Sequence, residues 1–419
     1  MIKKFYSKNF RNVNIPNLTF DRINLLIGGN NSGKTNFIRA LTFLSDMLRN
    51  SRIVDGNTAF LDAVQRHGWD HMRKKDVNRG DPIELSWLFE LDGESFEYRF
   101  SFQVGDKPDD CNITLERLNS AEKSDYYSNP FNFFSCHDAK SGQGVVSSAM
   151  ERGQTNKRMS FSVNPQETII AQIKDILLDS EEFYQEDRTS LGISKKLNKI
   201  KSYFEHIGVY STSRFSSEKI SLPAPVRSTD SLLCADASNF VSVFNTYNVE
   251  KGIHWKKIFQ KKAKELIHDL ESIEIVNAYE KMIFRLGNNG GEFDLEDISE
   301  GTIKALVLNL LINMPKRDDY SLLAIDEPEM NLHPAWQKVV ANWMQETDTF
   351  QQIFISTHSP DFLDGFTEGF KAGDVSVFVF SERNPTKKIL YEDIKEDLGD
   401  WELGDLYRTN DPALGGWPW

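Results

Sequence analysis

The sequence has little cysteine and no long hydrophobic run. Three cysteines, Cys111, Cys136 and Cys234, are widely spaced in 419 residues, which excludes a disulfide framework and a cysteine-based zinc site. No apolar stretch reaches the roughly 18 residues of a membrane span, and the longest, around Ala305–Met314, is interrupted by asparagines. Phe5–Asn12 is too polar for a signal-peptide core. We therefore expect a cytoplasmic protein without a membrane partner.

Basic residues are also fewer than acidic residues. The chain has 62 acidic residues against 49 Lys plus Arg, a net charge of -13. Because neutralisation of phosphates dominates sequence-independent DNA binding, this balance argues against a generally basic surface but leaves a local basic stripe open. Hydrophobic residues at 39% and charged residues at 26% are typical of an ordinary globular protein. We found no internal repeat and no low-complexity tract.

Hydrophobic spacing in the first half predicts strands and one long helix. Ile23–Ile27 has the pattern of a buried strand, and apolar residues recur at helical spacing over Gly33–Arg49. Pro82–Val104 predicts a hairpin that turns at Asp92 and Gly93. Residues 120–165, rich in Ser, Asn and Gly, predict a long surface loop.

The second half predicts helices and then alternating strands and helices. Ile169–Ile207 and Asn239–Leu270 are mainly helical in pattern. The strands predicted after them are Ser321–Ile325, Gln352–Ser356 and Val375–Phe380, and the helices are Thr302–Asn313 and Pro334–Glu346. Such alternation is typical of an α/β protein with a mostly parallel sheet.

A phosphate-loop motif joins the first buried strand to the first helix. Residues 28–35 read GGNNSGKT and match G-x-x-x-x-G-K-[ST] in the expected context. Backbone N–H groups of such a loop bind phosphates, Lys34 would reach the β- and γ-phosphates, and Thr35 would ligate Mg²⁺. The candidate nucleotide-binding residues are Gly28, Asn30, Asn31, Ser32, Gly33, Lys34, Thr35 and Asn36.

Two adjacent carboxylates end a later apolar strand. Leu322–Ile325 leads into Asp326 and Glu327, as in a Walker B element. Asp326 would hold the magnesium ion, and Glu327 would orient and deprotonate the attacking water. The simpler reading is a strand that ends in a charged turn. Because this strand follows a phosphate loop along the chain, the interpretation as a Walker B element is the more specific one.

Two further short motifs accompany this pair. Ser299 and Gly301 open a predicted helix before the Walker B strand, and His358 follows the next strand. A Ser-x-Gly helix start binds anions, and a histidine at a strand end is placed to hydrogen-bond a γ-phosphate. Taken singly, Ser299 also fits a plain N-cap, and His358 fits a hydrogen-bonded loop histidine.

The set GGNNSGKT, DISEG, LLAIDEPEMNLHP and ISTHSP resembles the ABC-type ATPase heads of the SMC, RecF and OLD group. Most similar are the compact bacterial AAA family ATPases of anti-phage defence and toxin–antitoxin-like operons. The resemblance is strong over about residues 1–50 and 285–365, and segments 403–407 and 414–419 also resemble endings in that group. It implies an ABC ATPase head with a RecA-like sheet, an antiparallel β lobe and a helical insertion. The implied parts are 1–120 with Walker A and the β lobe, 121–272 as the insertion, and 273–419 with signature, Walker B, switch histidine and tail.

The resemblance also implies ATP, Mg²⁺ and a homodimer or higher homo-oligomer. Ser299 and Gly301 would contact the γ-phosphate held by the other subunit's Lys34, residues 331–334 would form the D-loop, and His358 would be the switch histidine. Lys34, Glu327 and His358 are thus the implied catalytic residues. Two departures matter: the signature reads Ile-Ser-Glu-Gly, and the Q-loop glutamine is not identified. By order along the chain its candidates are Gln166 and Gln65.

No nuclease pattern and no Toprim-like spacing of acidic residues follows the switch histidine. We therefore expect an ATPase that senses for, scaffolds or restrains a separately encoded effector of nuclease, Toprim or toxin type in anti-phage defence. The alternative is a RecF-like DNA-binding ATPase in DNA repair, for which the lysines of Lys256–Lys264 and the run Arg73–Lys75 are the basic clusters. A transporter ATPase fits less well because the signature is not of the transporter type.

Overall fold

The computed structural model describes most of the chain in two compact units. The described residues are 1–13, 15, 17–49, 58–78, 80–123, 129–136, 142–147, 158–178, 188–222, 230–276, 281–287, 291–316, 321–382 and 384–414. The first unit comprises Met1–Asp21, Asn31–Ile207 and Phe380–Lys387, and the second comprises Arg22–Asn30, Gly208–Val379 and Lys388–Trp419. The three-part division expected from the sequence stays a prediction.

An antiparallel sheet of seven strands, in the order β1-β3-β4-β5-β6-β7-β8, forms the first unit's framework. Its strands are β1 (Ile2–Lys8), β3 (Ile83–Leu91), β4 (Glu94–Gln103), β5 (Asn112–Ser120), β6 (Asn132–Cys136), β7 (Gln143–Ser147) and β8 (Arg158–Ser162). The predicted hairpin is confirmed. Its turn residues Asp92 and Gly93 have φ of 53° and 79°, the left-handed geometry of a two-residue hairpin turn.

The loop predicted over residues 120–165 is wrong where the structure describes it. Strands β6, β7 and β8 lie there and extend the sheet by antiparallel pairing. Each has five residues, too few to show alternation among neighbouring Ser, Asn and Gly residues. Pairing with a neighbouring strand therefore decides the structure here, since local propensity is weak.

Four helices of the first unit surround this sheet in the described part. They are α1 (Lys34–Arg49), α2 (Ala59–Arg66), α3 (Ile169–Leu178) and α4 (Arg188–Glu205). The predicted helix after the phosphate loop is confirmed as α1. The Trp87 indole of β3 donates to the Leu41 carbonyl of α1 at 2.9 Å, which fixes α1 against the sheet.

A buried carboxylate joins the sheet to α3. Glu116 of β5 is 1% exposed and accepts hydrogen bonds from the Ile169 and Ile170 amides at 2.7 and 3.1 Å. The Tyr98 hydroxyl donates to it at 2.6 Å. Unpaired amides at a helix N-terminus need such an acceptor, so this contact determines where α3 begins.

The second unit contains the six-stranded sheet that positions the sequence motifs. Its order is β16-β15-β2-β14-β13-β9. The strands are β2 (Ile23–Ile27), β9 (Gly208–Ser211), β13 (Leu322–Asp326), β14 (Gln352–Ser356), β15 (Val375–Val379) and β16 (Lys387–Ile389). From β15 to β9, all neighbours are parallel. The buried strands predicted from apolar runs are confirmed.

Helices flank this sheet, and a small antiparallel sheet accompanies it. The helices are α5 (Ser217–Ser221), α6 (Phe240–Leu266), α7 (Glu300–Ile312), α8 (Pro334–Glu346), α9 (Pro360–Asp364), α10 (Thr367–Lys371), α11 (Tyr391–Leu398) and α12 (Leu403–Arg408). The small sheet has the order β10 (Leu270–Val276), β11 (Lys281–Leu286) and β12 (Glu292–Asp294). Helix α6 is kinked at Gly252, where φ is 66°.

Helix α7 is the most buried helix of this unit. From Thr302 to Ile312, every residue is buried, in keeping with its nearly all-apolar sequence. The hydrophobic core cluster that contains its apolar residues also includes Phe259 of α6 and Leu323 of β13. Within the described residues, no helix combines the length and apolar character needed to cross a membrane.

Candidate functional site

Parallel pairing brings the ends of three motif-bearing strands to one edge of the six-stranded sheet. Leu26 of β2 pairs with Ser356 of β14, and Ser356 pairs with Asp326 of β13. The residues that follow the ends of these strands are Gly28, Thr357–His358 and Glu327. In open parallel sheets, ligands bind outside the carboxyl ends of the strands. This edge of the second unit is therefore the candidate site.

The phosphate-loop backbone has the left-handed residues that a curled loop requires. Gly28, Asn31 and Gly33 have φ of 140°, 63° and 105°. Gly28, Gly29 and Asn30 belong to the second unit, and the residues from Asn31 onward belong to the first. Left-handed residues allow a loop to turn its backbone N–H groups toward a bound anion.

Asn12 supports the first-unit part of this loop. The side-chain nitrogen of Asn12 donates to the Asn31 carbonyl at 3.0 Å. The side-chain oxygen of Asn12 accepts from the side-chain nitrogen of Asn36 at 2.8 Å. A Cβ at position 33 would lie 3.3 Å from the Asn12 side chain, a tight contact, and the φ of 105° favours glycine there. Lys34 is 7% exposed at the start of α1.

The Walker B carboxylates are held by neighbouring strand ends. The Ser356 hydroxyl donates to Asp326 Oδ1. Glu327 has φ of 52°, an uncommon conformation for a non-glycine residue. Its amide donates to the Ser356 carbonyl at 3.0 Å, and its carbonyl accepts from the buried Thr212 hydroxyl. Backbone bonds on both sides thus maintain the Glu327 conformation.

His358 lies beside two carboxylates. Its Nδ1 is 3.3 Å from Glu327 Oε1 and 3.6 Å from Glu329 Oε1. Glu329 is buried, and its Oε1 accepts from the Thr357 hydroxyl at 2.7 Å and from the His358 amide at 3.1 Å. Burial raises the pKa of Glu329, and these hydrogen bonds oppose the rise. Glu329 therefore fixes the backbone that carries His358.

Helix α7 begins at Glu300, and Ser299 is its N-cap. The Ser299 side chain accepts from the Thr302 amide at 3.3 Å. A Cβ on Gly301 would lie 2.5 Å from the Asn331 carbonyl, so glycine allows the helix start and the loop after β13 to touch. The Asn331 amide donates to Glu300 at 2.9 Å. Within one chain, the signature and D-loop motifs are thus in direct contact.

Several residues of the site carried no clear sequence signal. Asn12 and Thr212 lie outside the motifs whose backbone they contact. Tyr407 belongs to segment 403–407, whose resemblance to endings in the family gave it no role. By contrast, Glu329 and Ser356 lie inside the quoted motifs. The hydroxyl of Ser356, beside Asp326, and the carboxyl group of Glu329, beside His358, were the available clue.

The Q-loop candidates gain no support from their surroundings. The Gln166 amide donates to the backbone carbonyls of Asp109 and Cys111 at 2.6 and 3.3 Å. Gln65 is an exposed residue of α2. Both stay predictions from order along the chain.

The oxygen donors of these motifs suit a magnesium nucleotide. In the described ranges, no group of three or more His, Cys, Asp or Glu side chains forms a cage for a metal ion. Mg²⁺ bound to a nucleotide is commonly held by one or two protein oxygens and by phosphates. In the second unit, Asp326, oriented by Ser356, is an oxygen donor of that kind. In the first unit, the Thr35 hydroxyl is another.

Three curated proteins with names from bacterial systems are similar to this chain in sequence. The chain is 28% identical over 176 residues to "Retron Vc95 probable ATPase" of Vibrio cholerae and 30% identical over 128 residues to "Septu protein PtuA" of Bacillus mycoides. It is 22% identical over 383 residues to "Endonuclease GajA" of Bacillus cereus. These matches cover 38%, 29% and 85% of this chain but only 34%, 16% and 55% of the relatives.

The fold matches an SMC head. A solved structure described as an SmcHead bound to the C-winged helix domain of ScpA superposes with a TM-score of 0.51 at 13% identity, and covers 94% of this chain and 99% of that one. The sequence profile of the family described as "AAA domain, putative AbiEii toxin, Type IV TA system" matches residues 23–364. The chain therefore belongs to this AAA-domain family and has the mixed α/β fold of an SMC-type ATPase head.

Proposed function

We propose that this protein binds and hydrolyses ATP with Mg²⁺. The observation that carries the proposal is the alignment of β2, β14 and β13, whose carboxyl ends bear the phosphate loop, the switch histidine and the Walker B pair. Family membership supports the same chemistry. Hydrolysis of ATP would then be its enzymatic activity.

Each motif residue has a role in this proposal. Backbone N–H groups of the phosphate loop after Gly28, with Lys34, bind the phosphates. Thr35 and Asp326 would hold Mg²⁺, which supplies charge neutralisation on the phosphate oxygens. Glu327 accepts a proton from the attacking water, and His358, beside Glu327, donates toward the γ-phosphate.

The decisive experiment measures phosphate release by purified protein. We expect Glu327→Gln to lower turnover at least about 100-fold while ATP still binds, because general-base catalysis contributes about that much. Glu368→Gln changes a carboxylate that is 87% exposed on α10 and serves as the matched control. Equal turnover in wild type and Glu327→Gln would refute the catalytic assignment.

We further propose that two copies close around ATP. Ser299, Glu300 and Asn331 are exposed at the surface of the chain, which leaves the signature and D-loop motifs accessible to a second copy. ATP bound between copies would favour the dimer by mass action. With Mg-ATP, Glu327→Gln should therefore elute as a dimer in light-scattering chromatography, and the same protein with ADP should elute as a monomer.

The biological role that we propose is control of a separately encoded effector in anti-phage defence. Three relatives named for a retron, for Septu and for GajA support it. The effector would be a nuclease, a Toprim protein or a toxin. Expression of the gene with its neighbours should lower phage plating, and Lys34→Ala should abolish that protection. Full protection by Lys34→Ala would contradict the role.

A basic face of α6 favours a second candidate, ATP-dependent DNA binding as in RecF-like proteins. Lys257, Lys261 and Lys264 are exposed and recur on one side of the helix. If this face binds duplex DNA, affinity should fall steeply with salt, and charge reversal of the three lysines should remove it. Undiminished binding by the reversed variant would exclude this face.

A further inference from the structure

The helix α12 has no role in the assignments above, yet it packs on the helix that follows the switch histidine. A Cβ on Gly404 of α12 would lie 2.2 Å from both the Pro360 carbonyl and Asp364 Oδ1. Real side chains do not approach so closely, so glycine is required for this contact. The residues Leu403, Leu406 and Tyr407 of α12 are also buried.

Polar contacts fasten α12 to α9 and its neighbours. Arg408 donates to Asp361 Oδ1 at 2.5 Å and to Asp364 Oδ2 at 2.9 Å. The Leu403 amide donates to the Thr367 hydroxyl at 3.0 Å. Two charge-assisted hydrogen bonds from one guanidinium group fix both the position of α12 and its rotation about its own axis.

The same helix reaches the phosphate loop. Tyr407 is 1% exposed, and its phenol oxygen accepts a hydrogen bond from the backbone N–H of Gly28. Burial raises the pKa of Tyr407 to about 12, and the nearby Glu329 carboxylate adds to the rise. The phenol is therefore neutral at physiological pH. A neutral group can support the loop without repelling a polyanionic ligand.

We propose that α12 is a clamp, in which Tyr407 positions the first glycine of the phosphate loop relative to the helix after the switch histidine and so raises the affinity for Mg-ATP. The inference deepens the proposed ATPase function and rests on it. Tyr407 is a positioning residue, because it contacts loop backbone. Holding Gly28 in place before ATP arrives reduces the ordering cost of binding.

The test compares two buried tyrosines of the second unit. Tyr407→Phe removes the hydroxyl that contacts Gly28. Tyr247 is an equally buried residue, 1% exposed, and Tyr247→Phe removes a hydroxyl that donates to the Ser231 carbonyl at 2.5 Å. Binding of a fluorescent ATP analogue with Mg²⁺, turnover and thermal unfolding are measured for both.

We expect Tyr407→Phe to raise the Kd for the analogue about three- to tenfold, the range of one lost hydrogen bond, with kcat changed less than about twofold. Tyr247→Phe should bind like wild type. Equal Kd values for the two variants would overturn the clamp. Failure of wild type itself to bind the analogue would instead overturn the proposed ATPase function.

A double-mutant cycle separates the clamp from general destabilisation. Arg408→Gln loosens α12 at its other attachment and should also raise the Kd. Because both changes act through one helix, the combined variant should lose less affinity than the product of the two single effects. Independent, fully multiplicative effects would show that Tyr407 and Arg408 do not act through a common element.

Discussion

At the residue scale, the site depends on groups that orient the motif residues. Ser356 holds Asp326, Thr212 holds the Glu327 backbone, and Glu329 holds the loop of His358. The sequence predicts the residues that would touch the nucleotide, because their spacing follows known motifs. It does not predict Thr212, since that contact requires β9 to pair with β13, and β9 is only four residues long.

Ser356→Ala tests the support of the proposed magnesium ligand. Loss of the hydroxyl leaves Asp326 Oδ1 without its strand-end donor. Hydrogen bonds to charged groups contribute about 1.5–3 kcal/mol, so we expect the Mg²⁺ concentration for half-maximal ATPase activity to rise at least about tenfold. Ser381→Ala, outside the motifs, serves as the control. An unchanged Mg²⁺ dependence would contradict this role.

Glu116→Gln tests a pH dependence in the first unit. Burial raises the pKa of Glu116 from 4.5 to about 7. The folded state therefore binds this proton more tightly than the unfolded chain, and stability is lost as pH rises through that window. At about 1.4 kcal/mol per pH unit, the loss amounts to roughly 3 kcal/mol.

Glutamine at position 116 does not titrate. The hydrogen bonds that Glu116→Gln weakens lower the free energy of unfolding by the same amount at every pH. The free energy of unfolding of wild type, measured by denaturant titration, should therefore decrease relative to that of Glu116→Gln between pH 5 and about pH 7.5. The same difference at every pH would show that Glu116 titrates normally in the folded protein.

At the element scale, long patterned segments were predictable and short ones were not. The strand Ile23–Ile27 and the helix Pro334–Glu346 agree with the sequence prediction because their apolar positions follow a clear period. The five-residue strands β6, β7 and β8 were missed. Their structure comes from pairing along one sheet edge, which a single sequence does not display.

Gly301→Ala tests the contact between the start of α7 and the loop after β13. The added Cβ would lie 2.5 Å from the Asn331 carbonyl, so one of the two elements must shift. We expect a loss of about 1–3 kcal/mol in unfolding free energy, seen as a lower Tm. Gly80→Ala, where a Cβ meets no atom within 4 Å, is the control. Equal Tm values would show that the contact yields without cost.

At the scale of the whole molecule, the central expectation is a composite site in a dimer. Lys34→Ala damages the phosphate loop, and Ser299→Arg damages the signature. Mixed together, the two inactive variants should regain roughly a quarter of wild-type turnover, because half of the dimers are mixed and each contains one intact composite site. If phosphate loop and signature acted within one chain, the mixture would stay inactive. Subunit exchange is checked with differently tagged chains.

The contact between Gly301 and Asn331 has a consequence for any such encounter. The Glu300 carboxylate also accepts a hydrogen bond from the side-chain amide of Asn331. The two exposed motifs are therefore joined by a backbone contact and by a side-chain hydrogen bond. An arriving copy would meet them as one preformed surface. The second copy would then bind both motifs in a single step. A substitution in either motif should therefore have the same effect on dimerisation as a substitution in the other.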